Sequence, residues 1–194
     1  ILVIVDNGWG AAPNWGRISG TASEILTDAG RAGRPALIVA TATDTLIGEP
    51  GDAAAALQTL AGLSVAPHAP DRAALSPLIA EAVGRYGIGE IVWLSDGLEY
   101  SGGTDFAAAL EGTGAETVEV AAPASADLPL ALLPALNETG GLKIGVLRAV
   151  ANGPADGTIR ARDLKGRVIA ATLDPYTYLR AHETPENLLC RLLL

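Results

Sequence analysis

The 194-residue chain predicts an α/β fold: a doubly wound, mostly parallel sheet flanked by helices, with a small β-rich C-terminal extension. Three observations predict it. Short, continuous apolar runs alternate with amphipathic stretches over the first 120 residues, the pattern of strands buried on both faces beneath helices. Two of those runs, Ile1–Val5 and Ile91–Leu94, end towards an aspartate followed by turn-forming residues. Beyond about residue 141 the pattern changes to short segments with turn signals at roughly 8–12-residue spacing, which suggests a small antiparallel sheet.

Ile1–Val5 is the first strand and stops at Asp6-Asn7-Gly8. Ile18, Ala22, Ile25, Leu26 and Ala29 recur at helical spacing, which predicts a helix over Ile18–Ala32 ended by Gly30 and Gly33. Pro35–Ala40 reads as a second buried strand. Asp52–Leu63 reads as a helix with Asp52 as its N-cap, and Pro70–Tyr86 as another with Asp71 near its first turn. Glu90–Leu94 is the third strand, ended by Ser95-Asp96-Gly97. Thr104–Leu110 is helical and Glu116–Val120 is the fourth strand.

In the tail, Leu142–Ala149, Thr158–Asp163 and Arg167–Leu173 read as strands. Turn signals lie at Asn152-Gly153-Pro154, Asp156-Gly157 and Lys165-Gly166, Tyr176 and Tyr178 suggest strand alternation, and Leu188–Leu194 fits either strand or helix. Charge divides the chain at a similar point. Residues 1–140 carry 5 basic and 17 acidic side chains, whereas residues 141–194 carry 8 basic and 5 acidic. The expected organisation is one domain over 1–122, a Pro- and Gly-marked seam over 123–140, and a β-rich extension over 141–194 packed on the first domain.

Composition excludes several classes. With 49% hydrophobic and 18% charged residues the chain is not of the disordered type. A net charge of −9 argues against a nucleic-acid partner. The single cysteine, Cys190, allows neither an intrachain disulfide nor a cysteine-based zinc site. Apolar runs such as Leu128–Leu133 fall far short of the ~18 residues of a membrane span. The chain has no methionine and opens directly on a strand, so it reads as a segment of a longer protein.

In an open α/β sheet the chemistry sits at the carboxyl ends of the strands. Asp6 and Asp96 stand there, and two converging carboxylates would suit a hard cation of the magnesium kind. Either aspartate alone also fits a turn or helix cap. Trp9 and Trp15, in a loop rich in Gly, Ala and Pro, sit at the expected mouth of the crevice as candidate interface anchors or as cover for the core. Trp93, inside a buried strand, reads as core.

These residues resemble a family. Ile1-Leu-Val-Ile-Val-Asp6 and Ile91-Val-Trp-Leu-Ser-Asp-Gly97 are similar to the first and fourth strands of the von Willebrand factor A domain. There the first strand ends in Asp-x-Ser-x-Ser and the later one in (Thr/Ser)-Asp-Gly. Here Asp6-Asn7-Gly8-Trp9-Gly10 keeps the aspartate, but Gly8 and Gly10 stand at the two serine positions. The loop Pro67–Asp71 lacks the threonine that the family places in that region. More narrowly, Val5–Trp9, Trp15 and Val92–Leu98 resemble the A-type domain of bacterial membrane proteins with an aerotolerance-regulator (BatA-like) N-terminal region. The likeness covers about residues 1–120 and extends loosely into the tail.

The resemblance implies a protein-binding module, not an enzyme, tethered to the bacterial inner membrane through segments outside this one. Its metal site would comprise Asp6 and Asp96, with Ser95 as a further candidate ligand, and would be vestigial. Magnesium would bind in the millimolar range or not at all, and no other cofactor is expected. A protein partner would meet the loop of Asn7, Trp9 and Trp15. The alternative is a small-molecule hydrolase or nucleotide-binding domain using the same crevice. Against it, Pro13 takes the third glycine place of a dinucleotide fingerprint and Trp93 the first glycine place of a nucleophile elbow. Lys143 and Lys165, the only lysines, both lie in the tail, and His68 and His182 are the only histidines.

Overall fold

The computed structural model describes the chain except residues 45, 100–101, 125–126, 129, 135, 139–140, 150–157, 164, 166, 173–187 and 194. It divides into two compact units, Ile1–Ala124 and Ser125–Leu194.

The first unit is built on four parallel strands: β1 (Leu2–Val5), β2 (Leu37–Ala40), β3 (Glu90–Leu94) and β4 (Thr117–Ala121), in the order β2-β1-β3-β4. β1 is central; Leu2–Val5 pairs in register with Leu37–Ala40 on one side and Ile91–Leu94 on the other. Its side chains divide between two cores, as the two-residue period of a strand requires. Val3 and Val5 face a cluster with Ile18, Ala22 and Leu26 of α1 (Trp15–Arg31) and Ala56 and Leu60 of α2 (Ala53–Gly62). Leu2 and Ile4 face the opposite cluster, with Leu75, Ile79 and Val83 of α3 (Arg72–Tyr86) and Phe106 and Leu110 of α4 (Gly103–Glu111). Helices thus cover both faces, and every residue of β1 is buried. The chain runs from β1 outward to β2, then crosses to β3 on the other side, so the topological switch lies between β1 and β3. Asp6 and Asp96 leave the sheet there.

The expected elements of this unit form, with shifts at their ends. Asp52 caps α2 by accepting from the Ala54 N–H at 3.0 Å, and Asp71 caps α3 by accepting from Ala74 at 3.1 Å. α3 ends on Gly87, whose φ of 62° closes the helix in the left-handed conformation that glycine adopts without a Cβ penalty. α1 begins at Trp15, three residues before the expected start, and a 3-10 turn over Trp9–Asn14 leads into it. The stretch expected as an open loop is therefore helical. Burial of Ala11 against the core draws it into a tight turn where sequence periodicity gives no signal.

The second unit is β-rich. Thr158–Asp163 (β9) lies between Val168–Thr172 (β10) and Leu188–Leu193 (β11) in an antiparallel sheet, so the closing segment is a strand. Leu142–Ala149, expected as one strand, is two. Gly141–Lys143 (β7) pairs with Leu136–Glu138 (β6), whereas Val146–Arg148 (β8) pairs with Leu130–Leu132 (β5). Each half answers to a different partner, and the chain turns at Ile144-Gly145, where the Gly145 carbonyl accepts from Leu133 at 2.8 Å. β5 and β6 occupy the stretch read as a seam; Pro134 lies between them, outside either ladder, as its missing N–H requires. Tyr176, Tyr178 and His182, with the turn signals at Asn152–Pro154 and Asp156-Gly157, lie outside the described residues.

The two-faced core makes a direct prediction. Leu26, fully buried beneath the sheet, should not tolerate truncation: Leu26→Ala should lower unfolding stability by about 2–5 kcal/mol. Urea denaturation of wild type and variant would measure the difference.

Candidate functional site

β1 and β3 end side by side, and the Asp6 N–H donates to the Leu94 carbonyl at 3.0 Å. Both carboxylates turn into the crevice between the strands, and both residues are fully buried. Between them lies a side chain that sequence reasoning did not single out, Arg72. It is the first residue of α3, and two bonds hold its backbone: the Asp71 cap on Ala74, and the Asp71 N–H donating to the Thr41 carbonyl at 3.1 Å beyond β2. The helix start is thus pinned over the carboxyl edge, and Arg72 points inward with no solvent exposure.

Its guanidinium joins the two acids. Nη2 donates to Asp6 Oδ2 at 2.6 Å and to Asp96 Oδ1 at 3.0 Å, Nε approaches Asp6 Oδ1 at 3.5 Å, and Nη1 donates to the Leu98 carbonyl at 3.0 Å. Further donors reach the same three oxygens. Thr41 Oγ1 donates to Asp6 Oδ1 at 2.7 Å, the Asp96 N–H to Asp6 Oδ2 at 3.0 Å, and the Leu98 N–H to Asp96 Oδ1 at 3.0 Å. The guanidinium carbon stands 5.1 Å from the centroid of the Trp93 ring, which in turn meets Phe106 edge-on at 4.9 Å. A cation over an indole face gains further electrostatic attraction in a desolvated site.

This donor set does not fit a divalent cation. The place between the carboxylates, where a metal would neutralise them, is taken by a fixed positive side chain whose hydrogens satisfy the same oxygens. Among the described residues no group of three His, Cys, Asp or Glu side chains gathers at metal-ligating distance. Gly8 adds a steric reason. A Cβ there would meet Pro70 Cδ at 2.7 Å and the His68 carbonyl at 2.9 Å, so the loop cannot carry a serine at that position without moving.

Asp6 and Asp96, anticipated as partners, meet as expected, through a cation that is part of the chain. Ser95 turns elsewhere: its Oγ accepts from the Gly97 N–H at 3.1 Å, and it lines a recess on the α1 side of the sheet. Asn7 is fully buried and ties three loops together. Its Oδ1 accepts from Ala42 at 2.8 Å, while its Nδ2 donates to Thr43 Oγ1 at 3.2 Å and to the Ser64 carbonyl at 3.1 Å. Its place is within the scaffold and not on the surface. Trp15 packs against the α1-side core, whereas Trp9 is 50% exposed on a turn held by its N–H donating to the His68 carbonyl at 3.1 Å. Trp93 lies in the core, as its strand predicts.

One sequence signal could have found Arg72. A cation in the first turn of a helix opposes the helix dipole unless an acid holds it, and Arg72 directly follows the N-cap Asp71. No protein-family model, curated protein or solved structure matches the chain.

Two predictions follow the geometry. Arg72→Met leaves two buried carboxylates without their cation and should cost about 3–5 kcal/mol of stability; adding Asp6→Asn and Asp96→Asn to it should recover part of the loss. Chemical denaturation of the single and triple variants would show this. Gly8→Ser should destabilise by about 1–3 kcal/mol through overpacking against Pro70. In calorimetric titration it should give no saturable heat with magnesium.

Proposed function

We propose that the first unit is a protein-interaction module of the von Willebrand factor A type from a bacterial membrane-associated protein. Its crevice cation is built in, and partner binding is independent of metal. The observation that carries this reading is the Asp6–Arg72–Asp96 cluster at the carboxyl edge of the sheet. Two aspartates in the strand-end positions that the resemblance assigns to metal ligands are balanced by a buried arginine, and Asp6 Oδ1, Asp6 Oδ2 and Asp96 Oδ1 each accept two hydrogen bonds within the fold. The same arrangement argues against catalysis in the crevice, since a general acid or base must reach a substrate proton and Asp6, Arg72 and Asp96 are all closed to solvent.

With the crevice sealed, recognition passes to the loops that rim it. Trp9 offers a large, half-exposed aromatic surface on a turn fixed by backbone bonding, the kind of rigid anchor that dominates interface energetics. No helix among the described residues is long and apolar enough to cross a bilayer, and the membrane-associated part of this reading rests on the resemblance alone.

Immobilised protein, wild type or Trp9→Ala, would be exposed to bacterial membrane and soluble fractions in EDTA or in magnesium. Retention of a discrete protein should be equal in the two buffers and fall at least about thirtyfold for Trp9→Ala, as for an interface hot spot. Retention that needs magnesium, saturable micromolar metal binding lost in Asp6→Ala, or turnover of ester or phosphoester substrates would each overturn the reading.

A further inference from the structure

The sheet of the first unit is closed off beyond β2 and open beyond β4. Next to β2, Ala36 and Gly51 form an antiparallel bridge, each N–H donating to the other's carbonyl, at 2.8 and 3.0 Å. No described residue meets β4 in this way. The Thr117 N–H donates to the Gly89 carbonyl at 3.0 Å, and the Ala121 carbonyl accepts from Ser95 at 2.8 Å. Along that parallel ladder Thr117, Glu119 and Ala121 bond to β3, so Val118 and Val120 direct their N–H and C=O groups outward. These outward groups have no partner among the described residues. Such an unpaired row is a template for another strand.

The side chains select the strand that fits. Val118 and Val120 lie on the α3–α4 side of the sheet; Val118 packs partly against that core, whereas Val120 is 49% exposed. Glu119 stands between them on the α1 side, exposed like Thr117 and Ala121. Neither Glu116 nor Glu119 makes an ion pair or a side-chain hydrogen bond among the described residues. The surrounding sequence supplies no cation for them, since from Tyr86 to Leu142 it holds nine acidic residues and no Lys, Arg or His. The usual defences of an edge are also missing. β4 contains no lysine, no proline and no bulge, and its register with β3 is unbroken from Thr117 to Ala121. Its one charge opposes pairing with a second copy, because full overlap of two β4 strands sets Glu119 against its own counterpart. The same charge favours a strand of opposite sign.

We infer that the outer edge of β4 takes an extended segment of a partner protein as a fifth strand, one in which lysine or arginine alternates with apolar residues. Apolar side chains beside Val118 and Val120 cover them, a basic side chain pairs with Glu119, and main-chain bonds to the two valines supply the affinity. The inference goes beyond the interaction reading, since it uses neither Trp9 nor the Asp6–Arg72–Asp96 cluster, and either can fail while the other stands.

Titration of the ¹⁵N-labelled chain with the blocked peptide Val-Lys-Val-Lys-Val-Lys-Val, followed by amide shifts and hydrogen exchange, tests it. The Val118 and Val120 amides should exchange freely in the chain alone and become protected on binding, with a Kd on the order of 0.1 mM. Glu119→Lys, at an exposed position, should weaken binding of this peptide about tenfold and admit the counterpart that carries glutamate in place of lysine. Val120→Pro removes an outward donor without removing a bond to β3. It should weaken binding about tenfold while the amides of β1 and β3 stay protected. Four results would each overturn the inference: equal binding of the glutamate peptide by the native chain, shifts centred away from β4, absence of saturation, or protection of Val118 and Val120 in the chain alone, whether by self-association or by its own segments.

Discussion

The buried pairing of Arg72 with Asp6 and Asp96 is the constraint on which the carboxyl edge of the first unit depends. Three charged side chains without solvent exposure meet at the point where the chain reverses its direction of travel across the sheet. Removing a charge from water is expensive, and an ion pair in the interior is tolerated only where its geometry is good and its other lone pairs and protons are satisfied. Both conditions hold. Asp6 receives the guanidinium, the Thr41 hydroxyl and the Asp96 N–H, while Asp96 receives the guanidinium and the Leu98 N–H.

The cluster also organises its neighbours. Arg72 begins α3, Asp6 ends β1, Asp96 ends β3, and Thr41 follows β2, so one network ties three strand ends to one helix start. Asn7 continues it outward by holding the segments around Ala42 and Ser64. Within unit 1 the apolar clusters on the two faces of the sheet secure the layers. The polar network fixes the register of the loops above them, which a non-directional hydrophobic force does not specify.

An internal guanidinium differs from a bound cation in its consequences. A metal ion leaves open coordination positions and can accept an oxygen from outside, whereas Arg72 directs its donors at oxygens already in the fold. Asp6, Arg72 and Asp96 are thus closed to solvent, whereas Trp9 on the rim is half-exposed.

The sequence by itself determined the layers of the first unit. Continuous apolar runs at Leu2–Val5, Leu37–Ala40 and Ile91–Leu94 leave no solvent-facing side, so only a sheet covered on both faces buries them, and the caps Asp52 and Asp71 mark where covering helices begin. It also placed Asp6 and Asp96 at one edge, because parallel strands end together. What filled the space between them was decided by tertiary structure. Arg72 is 66 residues from Asp6 and 24 from Asp96, and no local pattern couples positions so far apart; only docking α3 over the switch point brings the cation to the acids. The division of residues 141–148 into two strands has the same origin, since each half is fixed by a partner distant in sequence and not by its own alternation. Local propensity and periodicity act over a few residues, whereas the pairing of buried charges and of strand edges is settled only when the chain closes on itself.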